Sequence, residues 1–362
     1  MKIVVFTADE ANGGVKQLVS TITRTCIELG YKTTAFFPEN RGVDVDEDLL
    51  NNVIWYRKDK SLNPYNKCAK VVSKLVEKER PDLLIMPEGS IFTLQVLMLL
   101  SNNIKTALFI HDVTQHPSNM SFKRRLTYFF SRLLARKGLR IAEKIVVLSK
   151  NSYRLFSNLY PNYKDKVILY TLGGHVPFTN GRSEQPEELR SHLSNNYALF
   201  FGRIDKYKGL DRLARAYQTI TKNTIPLVIA GRGRLDTDTE GCLLKSNNVF
   251  LLNRFIKDEE MIWLFDHCKF VVLPYIQASQ SGVLPISYAF GKPVIASNID
   301  GIKEYVDEGR TGFLFNNEEE LGKAILELSN NDIEDMSEKC KMYSNKYFNW
   351  KTNTQKLVQS FI

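Results

Sequence analysis

Two short loops in this chain carry side chains and backbone able to hold a phosphate-like group. In Phe200-Phe-Gly-Arg-Ile-Asp-Lys-Tyr-Lys-Gly-Leu-Asp211, an apolar run breaks at glycine and turns into a helix pattern, leaving Arg203 and Lys208 on the connection. Arginine offers a planar fork of donors to phosphate oxygens and lysine a compact point charge. The loop after a strand is where open parallel sheets bind ligands. Further along, the apolar run 270–273 ends at Pro274, and the turn Ala278-Ser-Gln-Ser-Gly-Val283 leads into a second helix pattern. The first N–H groups of a helix lack partners and carry partial positive charge, so such a turn suits an anion without a metal. Each loop also has a structural reading, as solvated cations or as a bend that needs glycine and serine. The presence of both, each behind an apolar strand, puts anion binding on an even footing with the structural reading.

Other candidates are single residues at strand ends. Gly13 and Gly14 follow the first apolar run and precede a helix pattern from Val15, where their structural reading is a tight turn. The full Gly-x-Gly-x-x-Gly spacing is missing, which argues against a nicotinamide cofactor. His111 stands directly after the apolar run 107–110, with Asp112 next; a lone histidine is commonly structural, but a strand's carboxyl end is a site position. The five cysteines, Cys26, Cys68, Cys242, Cys268 and Cys340, are scattered, without Cys-x2-Cys or zinc-finger spacing, and read as reduced thiols. Asp44-Val-Asp46 and Asp236-Thr-Asp238 do not follow recognisable strand ends, so no metal site and no cofactor are expected.

The elements that must position these residues alternate along the chain. Strand patterns near 2–7, 33–37, 53–56, 83–86, 106–110, 144–148 and 167–171 are separated by helix patterns, and a second series lies near 198–202, 227–230, 249–252, 270–273, 294–297 and 312–315. This predicts an α/β chain with parallel sheets covered by helices. A length of 362 residues predicts two domains of roughly 180 residues each. The turn-rich stretch 173–186 is the expected linker.

With 43% hydrophobic and 25% charged residues, the composition is that of a soluble globular protein. No stretch approaches the roughly 20 apolar residues that span a bilayer, and the apolar run 3–6 is too short for a signal peptide. A cytoplasmic location is expected. The net charge of +9 concentrates between Ser121 and Arg140, where Lys123, Arg124, Arg125, Arg132, Arg136, Lys137 and Arg140 occur without an acidic residue. Phe122, Leu126, Phe129, Phe130, Leu133 and Leu134 form an apolar stripe among them. This is either a core-facing helix with a basic back or a helix lying on an anionic membrane surface; the lack of acidic residues favours the membrane. Without a recognised motif, nucleic acid is not an expected partner.

The order Gly202-Arg203-x4-Lys208-Gly209-x-Asp211, Val228-Ile-Ala-Gly-Arg-Gly233, Asn253-Arg-Phe-Ile-x-Asp-Glu-Glu260, Gln280-Ser-Gly-Val-Leu-Pro285, Gly291-Lys-Pro-Val-Ile-Ala296 and Gly301-x2-Glu304-x7-Gly312 resembles the C-terminal half of a family 4 glycosyltransferase. Gly13-Gly14, Ile110-His111-Asp112 and Ile145-Val-Val-Leu-Ser-Lys150 support the N-terminal half more thinly. The resemblance implies the GT-B fold: two Rossmann-like domains facing across a cleft, with a C-terminal helix crossing back to the first. The boundaries it suggests are 1–175 for an acceptor-binding domain, 187–340 for a nucleotide-sugar-binding domain and 341–362 for the returning helix.

By the same resemblance, Arg203 and Lys208 contact the donor diphosphate, with Gly202 and the amides of Ser281, Gly282 and Val283. His111 lies against the donor sugar, Gly13 and Gly14 let the backbone approach donor and acceptor, and the backbone at Phe255 and Ile256 reads the base. Whether Phe255 simply packs is left open. The family's Glu-x7-Glu pair is absent: setting Leu284-Pro285 against the family's Leu-Pro puts Gln280 and Tyr288 at the two positions. Gln280 then serves as a catalytic-site residue and Tyr288 as a donor-binding one, without the carboxylates' charge. The implied activity is retaining, metal-independent transfer from a UDP- or GDP-sugar to a glycan or lipid-linked glycan acceptor. The basic amphipathic stretch makes a lipid-linked saccharide in bacterial surface-polysaccharide assembly, at the inner face of the membrane, the expected acceptor, with a soluble sugar or small molecule as the runner-up. A catalytically silent binder or scaffold, or a sugar-nucleotide epimerase of similar architecture, is the alternative.

Overall fold

A computed structural model describes residues 1–9, 14–39, 45, 47–59, 66–111, 113, 134–174, 176, 181–190, 193, 195–220, 224–244 and 248–362. The chain divides into two compact units, Met1–Thr171 with Trp350–Ile362, and Leu172–Asn349.

The first unit is built on seven parallel strands: β1 (Lys2–Phe6), β2 (Lys32–Pro38), β3 (Val53–Tyr56), β4 (Leu83–Met86), β5 (Lys105–Ile110), β6 (Lys144–Val147) and β7 (Val167–Leu169). Their order is β3-β2-β1-β4-β5-β6-β7. All four residues of β4 are buried, the continuous apolar run of a strand covered on both faces rather than the alternation of a half-exposed one. Helices α1 (Gly14–Glu28), α2 (Lys67–Lys78), α3 (Ile91–Leu99), α4 (134–141) and α5 (Lys150–Leu159) connect them. Side-chain caps start three of these: Asn66, Ser90 and Ser149 accept from first-turn amides.

The second unit repeats the plan with β8 (Tyr197–Phe201), β9 (Leu227–Ala230), β10 (Val249–Leu252), β11 (Cys268–Leu273), β12 (Val294–Ser297) and β13 (Gly312–Phe315). Their order is β10-β9-β8-β11-β12-β13. Helices α6 (Leu210–Thr219), α7 (Thr237–Leu244), α8 (Asp258–His267), α9 (Val283–Ala289), α10 (Glu318–Asn330) and α11 (Glu334–Tyr347) complete it. The two apolar series of the sequence thus become two Rossmann-like parallel sheets. In each, the strand order reverses once, between β1 and β4 and between β8 and β11. Loops leave the sheet in opposite directions at such a switch point and open a crevice beyond the strands' carboxyl ends.

The chain returns to the first unit at Trp350, later than the expected 341. The intervening α11 stays on the second unit because Tyr343 packs edge-on against Tyr288, with ring centroids 5.5 Å apart, and Phe348 is buried in the same core. Helix α12 (Trp350–Gln359) makes the crossing: the hydroxyls of Tyr170 and Thr354 lie 2.9 Å apart, Asn353 Nδ2 donates to Thr171 O at 2.9 Å, and Leu357 and Val358 are buried. Each such apolar side chain contributes roughly 1.5–3 kcal/mol on burial.

Candidate functional site

The switch point of the second unit brings the two sequence loops together. After β8, residues Lys206–Lys208 form a single 3-10 turn that ends at Gly209 in the left-handed region, φ +68°. A Cβ at Gly209 would collide with Pro274 O, so only glycine lets this loop seat against the end of β11. Beside it, Ile276 N–H donates to Tyr207 O at 2.8 Å. Lys208, half-buried, holds its Nζ 3.6 Å from the ring centroid of Tyr275 and 5.3 Å from that of Tyr207. Burial pulls the Lys208 ammonium down to about 7, the nearby Arg203 charge pushes the same way and Asp205 opposes. Arg203 reaches outward, its Nη2 3.5 Å from the Tyr207 hydroxyl and its Nε 3.9 Å from Asp205. An exposed ion pair of that length binds weakly, leaving the guanidinium available to a ligand.

On the β11 side, Ser281 Oγ accepts from Val283 N–H at 3.3 Å and Leu284 N–H at 3.4 Å, and lies 3.4 Å from the Tyr275 hydroxyl. The anion turn is therefore partly capped by its own serine. The Val283 amide, expected to serve the ligand, has this internal partner, and α9 with seven residues brings only a short dipole. Gly282 is exposed with φ −75°, and a Cβ there meets nothing within 4 Å. Neither its conformation nor its neighbours in the chain require glycine. Gln280 is half-buried on the same turn. Gly202 sits at φ +113°, in the region that favours glycine, and a Cβ there would lie 3.7 Å from Val283 Cγ2.

Tyr288 does not serve the turn. Its side chain is wholly buried and its hydroxyl donates at 2.8 Å to Thr311 Oγ1, with Tyr305 O 3.1 Å away, within a core shared with Tyr343 and Phe348. The donor-binding role expected of Tyr288 is withdrawn: a helix of apolar residues turns that position inward.

After β10, Phe255 is 67% exposed, whereas the Ile256 side chain is buried in the core. Arg254 fixes this loop. Its guanidinium takes both oxygens of Glu188 at 2.7 and 2.8 Å and both of Glu260 at 2.8 Å, and Nη1 donates to Phe255 O at 3.1 Å. Those bonds hold the Glu188 carboxyl down at about 2. The backbone at 254–256 is thereby set, with the aromatic ring turned out. Sequence reading missed Arg254 because its partner Glu188 lies far upstream.

At the carboxyl edge of the first unit, His111 Nε2 lies 2.7 Å from Pro87 O. A carbonyl only accepts, so Nε2 carries a proton, and in the neutral ring Nδ1 is left as an acceptor. Next to Pro87, Glu88 is buried and was not foreseen; it accepts from Ala8 N at 3.0 Å and from the Ser90 amide and the Ser90 and Thr93 hydroxyls. The only sequence signal is its place between an apolar strand and a serine cap. Gly14 opens α1, and a Cβ there meets nothing within 4 Å. Gly13, Asp112, Lys123, Arg124, Arg125 and Arg132 lie outside the described residues. Arg136 and Lys137 are exposed on α4 while Leu134 and Leu139 are buried, so the described part of that stretch is core-facing with a basic back. Among the described residues no helix is long and apolar enough to cross a membrane.

Two Rossmann-like parallel α/β units and a C-terminal helix returned to the first define the GT-B class. Comparison with known proteins agrees. Residues 195–331 match the family of group 1 glycosyl transferases. An uncharacterised glycosyltransferase of Methanocaldococcus jannaschii is 28% identical over 355 residues, covering 93% of this chain and 91% of that protein. The O-antigen chain mannosyltransferase C of Escherichia coli is 27% identical over 228 residues, 61% of this chain and 59% of its own. Among solved structures, Anabaena HepE in complex with UDP superposes with a TM-score of 0.75 at 17% identity, covering 99% of both chains. Residues 195–331 thus resemble group 1 glycosyl transferases, within a chain similar over most of its length to a curated glycosyltransferase.

Proposed function

We propose that this protein transfers a glycosyl unit from a nucleoside diphosphate sugar to a hydroxyl of a lipid-linked saccharide, with retention at the anomeric carbon and without a metal. The observation that carries the reading is the seating of the Arg203–Lys208 loop on the end of β11, beside the Ser281–Gly282 turn, at one switch point. Breaking the bond from sugar to diphosphate sends negative charge onto the departing phosphate. Two cations and backbone amides fixed in advance stabilise that charge as it develops. Because no carboxylate stands on the turn to act as nucleophile, the acceptor oxygen attacks C1 on the face the diphosphate leaves, and the acceptor proton passes to the departing phosphate oxygen. His111 Nδ1 accepts a hydrogen bond from a sugar hydroxyl, and the Phe255 loop meets the base. The lipid-linked acceptor is supported by the resemblance to an O-antigen mannosyltransferase and by the exposed cations of α4.

The silent-binder reading is favoured by one observation: Tyr288 is a core residue and Gln280 carries no charge, so the turn offers the sugar no carboxylate. A thermal-shift and hydrolysis screen against UDP-, GDP- and ADP-sugars in EDTA separates the two. Stabilisation with slow donor hydrolysis is expected; stabilisation with neither hydrolysis nor transfer to a lipid-linked acceptor identifies a binder, and no stabilisation by any donor overturns both.

A further inference from the structure

Tyr275 is absent from every role assigned so far, yet it touches both halves of the phosphate-suited crevice. It is fully buried directly after β11, its ring face lies 3.6 Å from Lys208 Nζ, and its hydroxyl is 3.4 Å from Ser281 Oγ. A second ring, Tyr207, stands edge-on to it at 6.5 Å between centroids and reaches Arg203 through its hydroxyl. We propose that Tyr275 is the positioning residue that couples the two loops, its ring face seating the Lys208 ammonium and its hydroxyl holding the Ser281 hydroxyl. This deepens the donor-binding reading and rests on it.

The physical case is one of alternatives for a flexible side chain. A lysine ammonium on a four-carbon stem ordinarily extends into water, where it is best solvated. Here it is drawn back over an aromatic face, whose quadrupole attracts a cation as bulk water is excluded. The charged and titratable groups around it are Arg203, Asp205, Tyr207 and Tyr275. Burial and Arg203 outweigh Asp205, so the ligand-free ammonium loses its proton near neutral pH and regains it when an anion arrives. The same ring sets the distance from Lys208 to the Ser281 turn. Cation and turn are thus placed by one side chain rather than by two independent loops.

The test compares wild type, Tyr275→Phe and Tyr275→Leu. In the ligand-free proteins, the Lys208 ε-methylene resonance, identified by its loss in Lys208→Arg, is expected to be shifted upfield by the ring in wild type and Tyr275→Phe and to return to the ordinary lysine position in Tyr275→Leu. Binding of UDP and GDP is measured by calorimetry across neutral to alkaline pH. Wild type and Tyr275→Phe should weaken as pH rises above neutrality, with Tyr275→Phe about threefold weaker throughout from loss of the serine contact. Tyr275→Leu should bind about tenfold more weakly and lose the slope, its lysine being charged over the whole range. An ordinary Lys208 resonance in wild type, or a wild-type slope in Tyr275→Leu, overturns the inference. If Tyr275→Leu does not fold, the wild-type and Tyr275→Phe spectra still decide it. Failure of wild type to bind either nucleotide overturns the donor reading instead, and the ring-current signature reports on Tyr275 independently of it.

Discussion

The two switch points of this molecule share a topology and differ in polarity. At the β1/β4 edge, the conspicuous charge is Glu88, and it is turned inward: a loop amide, a second amide and two hydroxyls donate to it, tying the loop after β1 to the start of α3. At the β8/β11 edge, the charges are cations, one reaching outward and one resting on a ring, beside a turn whose Gly282 is exposed without an internal reason to be glycine. The first edge commits its charge to its own architecture, whereas the second leaves its guanidinium directed outward and its ammonium resting on a ring. The parallel sheet supplies the crevice in both cases; a few residues at the strands' carboxyl ends decide what each crevice can do.

The contrast can be broken most severely at the second edge. Arg203→Ala and Lys208→Ala are each expected to lower turnover by about 10²–10³-fold, the size seen when one preorganised donor to a developing anion is removed. Donor affinity should fall much less, and equal losses in steady-state turnover and calorimetric affinity would show uniform binding instead of leaving-group stabilisation.

At the first edge, Glu88→Gln replaces an acceptor-only carboxylate with a group that presents N–H to other donors. Unfolding in denaturant should show a loss of about 1.5–3 kcal/mol. Nucleoside diphosphate affinity should stay unchanged, because the Glu88 cluster serves the first sheet; a large affinity loss would erase the distinction between the edges.

Proton linkage sharpens the comparison next. Burial holds the Lys208 ammonium down at about 7, well below a solvated lysine, and a bound diphosphate should raise it. Binding therefore takes up a proton above neutrality, and affinity falls as pH rises through the window between the free and bound values. Calorimetry in buffers of different ionisation enthalpy reads that uptake directly; a buffer-independent enthalpy at mildly alkaline pH would contradict it.

The smallest effect belongs to Phe255. Its ring is 67% exposed, so Phe255→Ala should leave the unfolding midpoint almost unmoved. Nucleotide affinity should weaken about threefold, corresponding to a partial loss of stacking on a base. Lower stability with full affinity would mark the ring as packing after all.

Apolar runs that return at strand length, separated by helical periodicity, determined the two parallel sheets of this protein by themselves, because a strand buried on both faces needs side chains that water excludes and local sequence alone records that need. The positions of Arg203, Lys208, Ser281 and Gly282 at strand ends were legible for the same reason: each sits within a few residues of such a run. What only the tertiary structure decided is which way side chains point and what distant segments they meet. Tyr288 occupies a motif position yet turns into the core, Glu188 finds Arg254 across a long stretch of chain, and Tyr275, one residue past Pro274, lies under Lys208. Those relations depend on strand order, since β8 and β11 become neighbours only when the sheet assembles, and no local pattern encodes the partner a residue acquires by that pairing.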